Sequence, residues 1–123
     1  MIYGMGIDIV GIKRIEDVIN RNKERFLKKI FTDGEINYCN SQKLKYHHYA
    51  GRIAVKEAMI KALGRRYGID WREMEVKNGK FGQPKLNLYG KAIEIIKKLN
   101  IVSIEVSISH CDEYAIAAVI LEK

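Results

Sequence analysis

Two acids stand where the surrounding pattern is apolar. At about 100° per residue, Tyr46, Ala50, Ile53 and Ile60 fall on one side of a helix, and Glu57 lies in the middle of that stripe. Asp8 lies among Gly6, Ile7, Ile9 and Val10. Burying an unpaired carboxylate costs on the order of several kcal/mol, so each acid must be protonated, paired with a cation or bound to a metal. Lys61, one turn beyond Glu57, offers a local pair of about 0.3–0.5 kcal/mol at an exposed helix edge. For Asp8 the competing reading is a strand-end acid that faces water or caps the helix beginning near Ile12. Two such acids on different elements, with no neighbouring cysteine, suit a hard cation. Mg²⁺ takes one or two protein carboxylates and completes its shell with water and substrate phosphates. That pattern points to phosphate chemistry.

Other polar residues offer less. Ser109 and His110 are adjacent in a strand pattern and project to opposite faces, which excludes a local serine–histidine dyad. His47 and His48 are likewise adjacent and give no shared helix face for a metal. Gly82, Gln83 and Pro84 form either a turn or a place where backbone approaches a ligand.

The elements that must position these residues follow from periodicity. Ile2 to Val10 reads as a core strand in which Ile7 and Ile9 alternate with one acid, Asp8. Ile12, Ile15 and Ile19 begin a helix whose other stripe carries Arg14, Arg21 and Arg25. Thr32, three residues before Glu35, is a capping-box pattern for a short helix toward Tyr38. Tyr46 to Leu63 predicts the longest helix, stopped by Gly64 in a left-handed conformation. Met74 to Lys77 and Lys85 to Leu88 read as paired strands joined at an Asn78–Gly79 turn, and Gly90 to Leu99 as a helix. Val102, Ile104, Val106 and Ile108 alternate with polar residues in a half-buried strand, and Tyr114 to Leu121 completes the series. The expected architecture is α+β, with helices packed on a mostly antiparallel sheet.

A chain of 123 residues can bury a core alone, and 47 % hydrophobic with 30 % charged residues is a globular rather than a disordered composition. One domain spanning residues 1–123 is expected. The net charge of +7 favours an acidic partner, which includes nucleic acid, an anionic membrane surface, a phosphorylated small molecule or an acidic protein. Cys39 and Cys111 lack metal-ligand spacing and are expected as free thiols. With no leader pattern and no apolar run of about 18 residues, the expected location is the cytoplasm. The competing class is a basic module that binds RNA or another polyanion, with structural acids. The dispersed lysines and arginines, without interleaved aromatics, argue against it.

Three blocks, in order, resemble the holo-[acyl-carrier-protein] synthases. The first is Gly6–Val10 with Phe31, Thr32 and Glu35. The second runs from Ala50 through Gly51, Arg52, Lys56, Glu57 and Ala58 to Lys61, Ala62, Leu63 and Gly64. The third is Ser107, Ile108, Ser109 and His110, followed by Tyr114, Ala115 and Ala117. Three departures stand out: Ile53 for a usual phenylalanine, Gln83 for the lysine of G-K-P, and Arg65–Arg66 for T-G. Lys80 or Lys85 can supply the missing charge.

The resemblance implies a single small domain of the 4′-phosphopantetheinyl transferase type. Such an enzyme moves the phosphopantetheine arm of coenzyme A onto a serine of an apo acyl carrier protein. It further implies Mg²⁺ held by Asp8 and Glu57, with Lys61 stabilising phosphate charge. Arg52, Lys56, Lys61, Gly82, Pro84 and His110 would contact the cofactor, and Arg14, Arg21 and Arg25 the acidic carrier. Glu57, Asp8 and a metal-bound water compete for the role of base. A homotrimer with active sites between subunits is also implied.

Overall fold

The chain begins in an edge strand that runs straight into a helix. This computed structural model describes all of residues 1–123. β1 (Ile2–Gly11) leads into α1 (Ile12–Ile30), and α2 (Asp33–Asn40) and α3 (Lys45–Leu63) follow. A hairpin of β2 (Met74–Asn78) and β3 (Pro84–Leu88), α4 (Gly90–Lys98), β4 (Ser103–His110) and β5 (Tyr114–Glu122) complete the fold. The expected α+β class is found, although the strands divide into two sheets. β1, β5 and β4 form one antiparallel sheet in that order, and β2 and β3 pair separately.

α3 is the central element, and it is buried almost all round rather than along one stripe. Every residue from Tyr49 to Lys56 is buried, including Arg52 and Lys56, both expected to contact the cofactor. One apolar cluster joins α3 to β5 and α4 through Ala58, Val119, Leu121 and Ile96. A second joins α3 to α1 through Ile12, Ile15, Phe31 and Tyr49. Gly64 ends the helix as expected, yet its φ of 113° and ψ of 135° are not the left-handed helical cap.

β1 is not buried on both sides as the expected core strand would be. Met5, Ile7 and Ile9 point away from the core, with 62 %, 62 % and 59 % exposure, and it is Gly4, Gly6 and Asp8 that face α3. The reason is backbone contact. A Cβ at Gly4 or Gly6 would collide with the carbonyl oxygen of Ala62 or Ala58, so the strand lies directly on the helix.

Two other expectations shift. α1 is kinked at Lys23, whose backbone takes φ 25° and ψ −106°, so Arg14 and Arg21 precede the break and Arg25 follows it. The β2–β3 connection is not a two-residue turn. Asn78 pairs with Pro84, and the five residues between them close through Gly79 N–H to Gln83 O at 2.7 Å. The Thr32 capping box of α2 forms as expected, with Glu35 N–H donating to Thr32 Oγ1 at 3.2 Å and Thr32 N–H to Glu35 Oε1 at 3.0 Å. Cys39 is buried and Cys111 exposed, and both are free. Burial pushes the Cys39 thiol up to about 12, leaving it protonated and inert.

Candidate active site

Direct contact of β1 with α3 brings the two acids to one place. Lys61 Nζ, on α3, donates to Asp8 Oδ1 at 3.0 Å and to the Ile7 carbonyl at 3.0 Å. Glu57, one turn earlier, accepts from Arg65 Nη2 at 3.4 Å. The local Glu57–Lys61 pair is therefore not made; each acid takes a partner from elsewhere in the chain. Asp8 and Glu57 both line a cavity of about 350 Å³, together with Arg14, Trp71 and apolar residues including Ile15, Phe26 and Ile53. Their side chains are 17 % and 25 % exposed, so a solvated ion can reach either. The donor set is all oxygen, and two carboxylates with open positions suit Mg²⁺ better than a metal that needs a closed protein cage.

A second polar cluster, built on one arginine and three histidines, lies elsewhere. Arg52, Gly82, Pro84 and His110 line a cavity of about 190 Å³ with His47, His48 and Asn78. None of these residues lines the acids' cavity. Arg52 is 3 % exposed. Its guanidinium sits 4.5 Å from the Tyr38 ring centroid, and Nη2 reaches Asn78 Oδ1 at 3.4 Å. Arg52 Nε is buried without a partner, an orphaned donor beside a cavity that an anion could fill. The rings of His47 and His110 meet edge to face at 5.3 Å. Burial, with Arg52, His110 and His47 nearby, lowers the pKa of His48 and favours its neutral form. Sequence reasoning missed His47, His48 and Asn78 here. The two histidines share no helix face, yet both flank a cavity whose other wall comes from the hairpin loop and β4. Gln83, where the family pattern has lysine, is committed to its own loop by accepting from Phe81 N–H at 2.9 Å.

Lys56 requires correction. It was expected to meet cofactor phosphate, but it is fully buried, and its Nζ donates to Glu35 Oε1 at 2.6 Å, Ile30 O at 2.8 Å and Trp71 O at 3.1 Å. With three internal acceptors it has no proton left for a phosphate. Burial lowers its pKa and the Glu35 carboxylate opposes that shift. Glu35 also accepts from Val76 N–H at 2.8 Å, so this buried pair ties α3 to β2 and to two walls of the acids' cavity, Ile30 and Trp71. Arg14, Arg21 and Arg25 are all exposed on α1. Asp17 pairs with Lys13 at 3.4 Å, and Arg21 Nε reaches only the Asp17 backbone carbonyl, so the arginine charges are not neutralised locally.

An α+β domain with two acids on an apolar cavity and a separate cavity holding the unpartnered Arg52 donor is suited to phosphate-bearing substrates, and family comparison agrees. Residues 4–119 match the 4′-phosphopantetheinyl transferase superfamily, and the chain belongs to it. A holo-[acyl-carrier-protein] synthase of Syntrophus aciditrophicus is 45 % identical over 124 residues, covering 99 % of this chain and 97 % of the relative. Among solved structures, the Neisseria meningitidis holo-[acyl-carrier-protein] synthase superposes with a TM-score of 0.91 at 28 % identity, each chain covered in full. That of Helicobacter pylori, in complex with coenzyme A, gives 0.82 at 33 % identity over 96 % of this chain and 99 % of that one. The resemblance drawn from three sequence blocks thus holds over the full length.

Proposed function

We propose that this chain, acting as one domain over residues 1–123, transfers the 4′-phosphopantetheine group of coenzyme A to a serine of apo acyl carrier protein. Mg²⁺ is the required ion. The observation that carries the site assignment is the convergence of Asp8 and Glu57 on one cavity, with Lys61 reaching across to Asp8. Asp8 and Glu57 would hold the ion, which when bound neutralises the pyrophosphate oxygens of coenzyme A. Lys61, 42 % exposed, can exchange its carboxylate contact for a phosphate oxygen. The carrier serine oxygen bonds to the β-phosphorus as the bond to the bridging oxygen breaks, its proton passes to a base, and adenosine 3′,5′-bisphosphate leaves. The apolar residues beside the acids, among them Ile15, Phe26 and Ile53, would limit the water that reaches the reacting phosphorus.

Arg52, His110 and the Gly82–Pro84 loop are assigned to the nucleotide end of coenzyme A, where the orphaned Arg52 donor lacks an acceptor. This cluster and the acids line different cavities, and β1 and β5 present an apolar face through Met5, Ile7, Ile9 and Ile116. A homotrimer that covers this face and sets the Arg52 cavity of one copy against the acids of the next accounts for both facts. Exposed Arg14, Arg21 and Arg25 steer the acidic carrier. The cytoplasm is the assigned location, and no helix is long and apolar enough to cross a membrane.

The test is incubation with coenzyme A, Mg²⁺ and apo carrier protein, read by intact mass. A phosphopantetheine adduct that a chelator abolishes is expected. Adduct formation undiminished in chelator contradicts the metal requirement, and an unmodified carrier contradicts the activity. In the same assay Arg21→Glu should raise the KM for carrier by about 3–10-fold while leaving that for coenzyme A unchanged; an unchanged carrier KM removes the docking role.

A further inference from the structure

Arg65 and Arg66 occupy the positions where the family pattern has threonine and glycine. They lie in a 3₁₀ turn, Arg65–Tyr67, bounded by Gly64 at φ 113° and Gly68 at φ 60°, conformations that side-chain-bearing residues rarely take. Arg65 is 68 % exposed on its side chain, and its one ionic contact is Glu57 at 3.4 Å. Beside that contact is a cavity of about 220 Å³ lined by Glu57, Gly64, Arg65, Gly68 and Trp71. Glu57 and Trp71 also border the cavity that holds Asp8, so Arg65, which lines the second space, touches the first through Glu57.

Charge balance gives this placement a consequence. Asp8 and Glu57 carry two negative charges, and Lys61 and Arg65 supply two positive ones. A dication entering alone must displace or face both cationic side chains, whereas a dication entering with a pyrophosphate leaves the total unchanged, because the displaced cations find phosphate oxygens. Lys61 has a second anchor on the Ile7 carbonyl at 3.0 Å. Arg65 has none, its contact is long and solvent-exposed, and such pairs exchange easily. A phosphate offers a guanidinium two parallel hydrogen bonds in place of one.

We propose that Arg65 is a phosphate-binding residue for coenzyme A, which shields Glu57 while the ion is absent and moves onto the pyrophosphate when Glu57 is taken. It thereby couples the binding of ion and coenzyme A. This inference rests on the assignment of Asp8 and Glu57 as metal ligands.

Mn²⁺ is the probe, titrated by electron paramagnetic resonance with and without coenzyme A. In the unaltered protein coenzyme A should tighten Mn²⁺ binding by about 10-fold or more, and by linkage Mn²⁺ should tighten coenzyme A equally. In Arg65→Ala, Mn²⁺ alone should bind about 3-fold tighter, since Glu57 is released, and the enhancement by coenzyme A should fall by about 3-fold or more. The KM for coenzyme A should rise more than kcat falls, and Arg65→Lys should recover part of the coupling. Arg66→Ala, whose guanidinium contacts Tyr67, should match the unaltered protein. If Arg65→Ala leaves both the Mn²⁺ affinity and its enhancement unchanged, Arg65 is a surface arginine only and this inference is overturned. If the unaltered protein binds no Mn²⁺, the metal-site assignment fails and this inference fails with it.

Discussion

The side chains that a sequence makes conspicuous are not always the ones a substrate meets. Glu57 and Asp8 were conspicuous because carboxylates are out of place in apolar runs, and both do line one cavity. Lys56 stood out only through the family resemblance, as a cation expected at cofactor phosphate, yet it lies inside against Glu35. The difference lies in the partner: a helical wheel shows only neighbours on the same helix, and Glu35 is 21 residues away. The same buried region yields a pH prediction through Glu75. Burial raises its pKa, but hydrogen bonds from Thr32 at 2.5 Å and Tyr89 at 2.6 Å, with the Lys77 charge, outweigh that and bring it below its ordinary 4.5. A carboxyl depressed on folding stabilises the fold at pH values above 4.5, and this contribution is lost as pH falls through the depressed value. In Glu75→Gln the fall of Tm below about pH 4.5 should therefore be shallower than in the unaltered protein. Parallel Tm–pH curves contradict this.

Helices and strands were placed well by periodicity, and the faces they turn inward less well. β1 shows why. Ile7 and Ile9 are more hydrophobic than the glycines between them, so hydropathy alone assigns them to the core, whereas the structure needs small residues where the strand touches the helix backbone. That close approach sets Asp8 within reach of Lys61. Gly6→Ala should push β1 off α3, lower stability by about 1–3 kcal/mol and reduce transfer further than Val102→Ala at an exposed position outside both the site and the β1–β5 face. Circular dichroism, a Tm scan and the carrier-modification assay check this. Equal activity in the two variants would mean that the strand-to-helix spacing does not position the acids. The kink at Lys23 and the five-residue loop before Pro84 were not readable from spacing: Lys23 takes a positive φ that lysine rarely adopts, so nothing in its residue type marks the break, and Asn78–Gly79 suits a tight turn as well as the start of a longer loop.

Across the whole molecule, the separation of the two cavities is the feature with the widest consequence. An active site shared between copies predicts complementation between two inactive variants, one altered in the acids and one in the Arg52 cavity. When Glu57→Ala and His110→Ala chains, each strongly impaired, are mixed and allowed to exchange, random assembly should restore about one site in four. No recovery would place a complete site within each chain. The apolar face of β1 and β5 that such an assembly would cover was invisible to sequence reading, because Ile7, Ile9 and Ile116 look the same whether they face a core or another copy.

All of this depends on Asp8 and Glu57 gripping one ion between β1 and α3. Mn²⁺ titration of the unaltered protein in the presence of coenzyme A, alongside Asp8→Ala and Glu57→Ala, measures that directly. The expected result is one ion per site in the unaltered protein, and Mn²⁺ affinity weakened by about 10-fold or more in each variant with the circular dichroism spectrum preserved. Retention of Mn²⁺ at full affinity by either variant would contradict it.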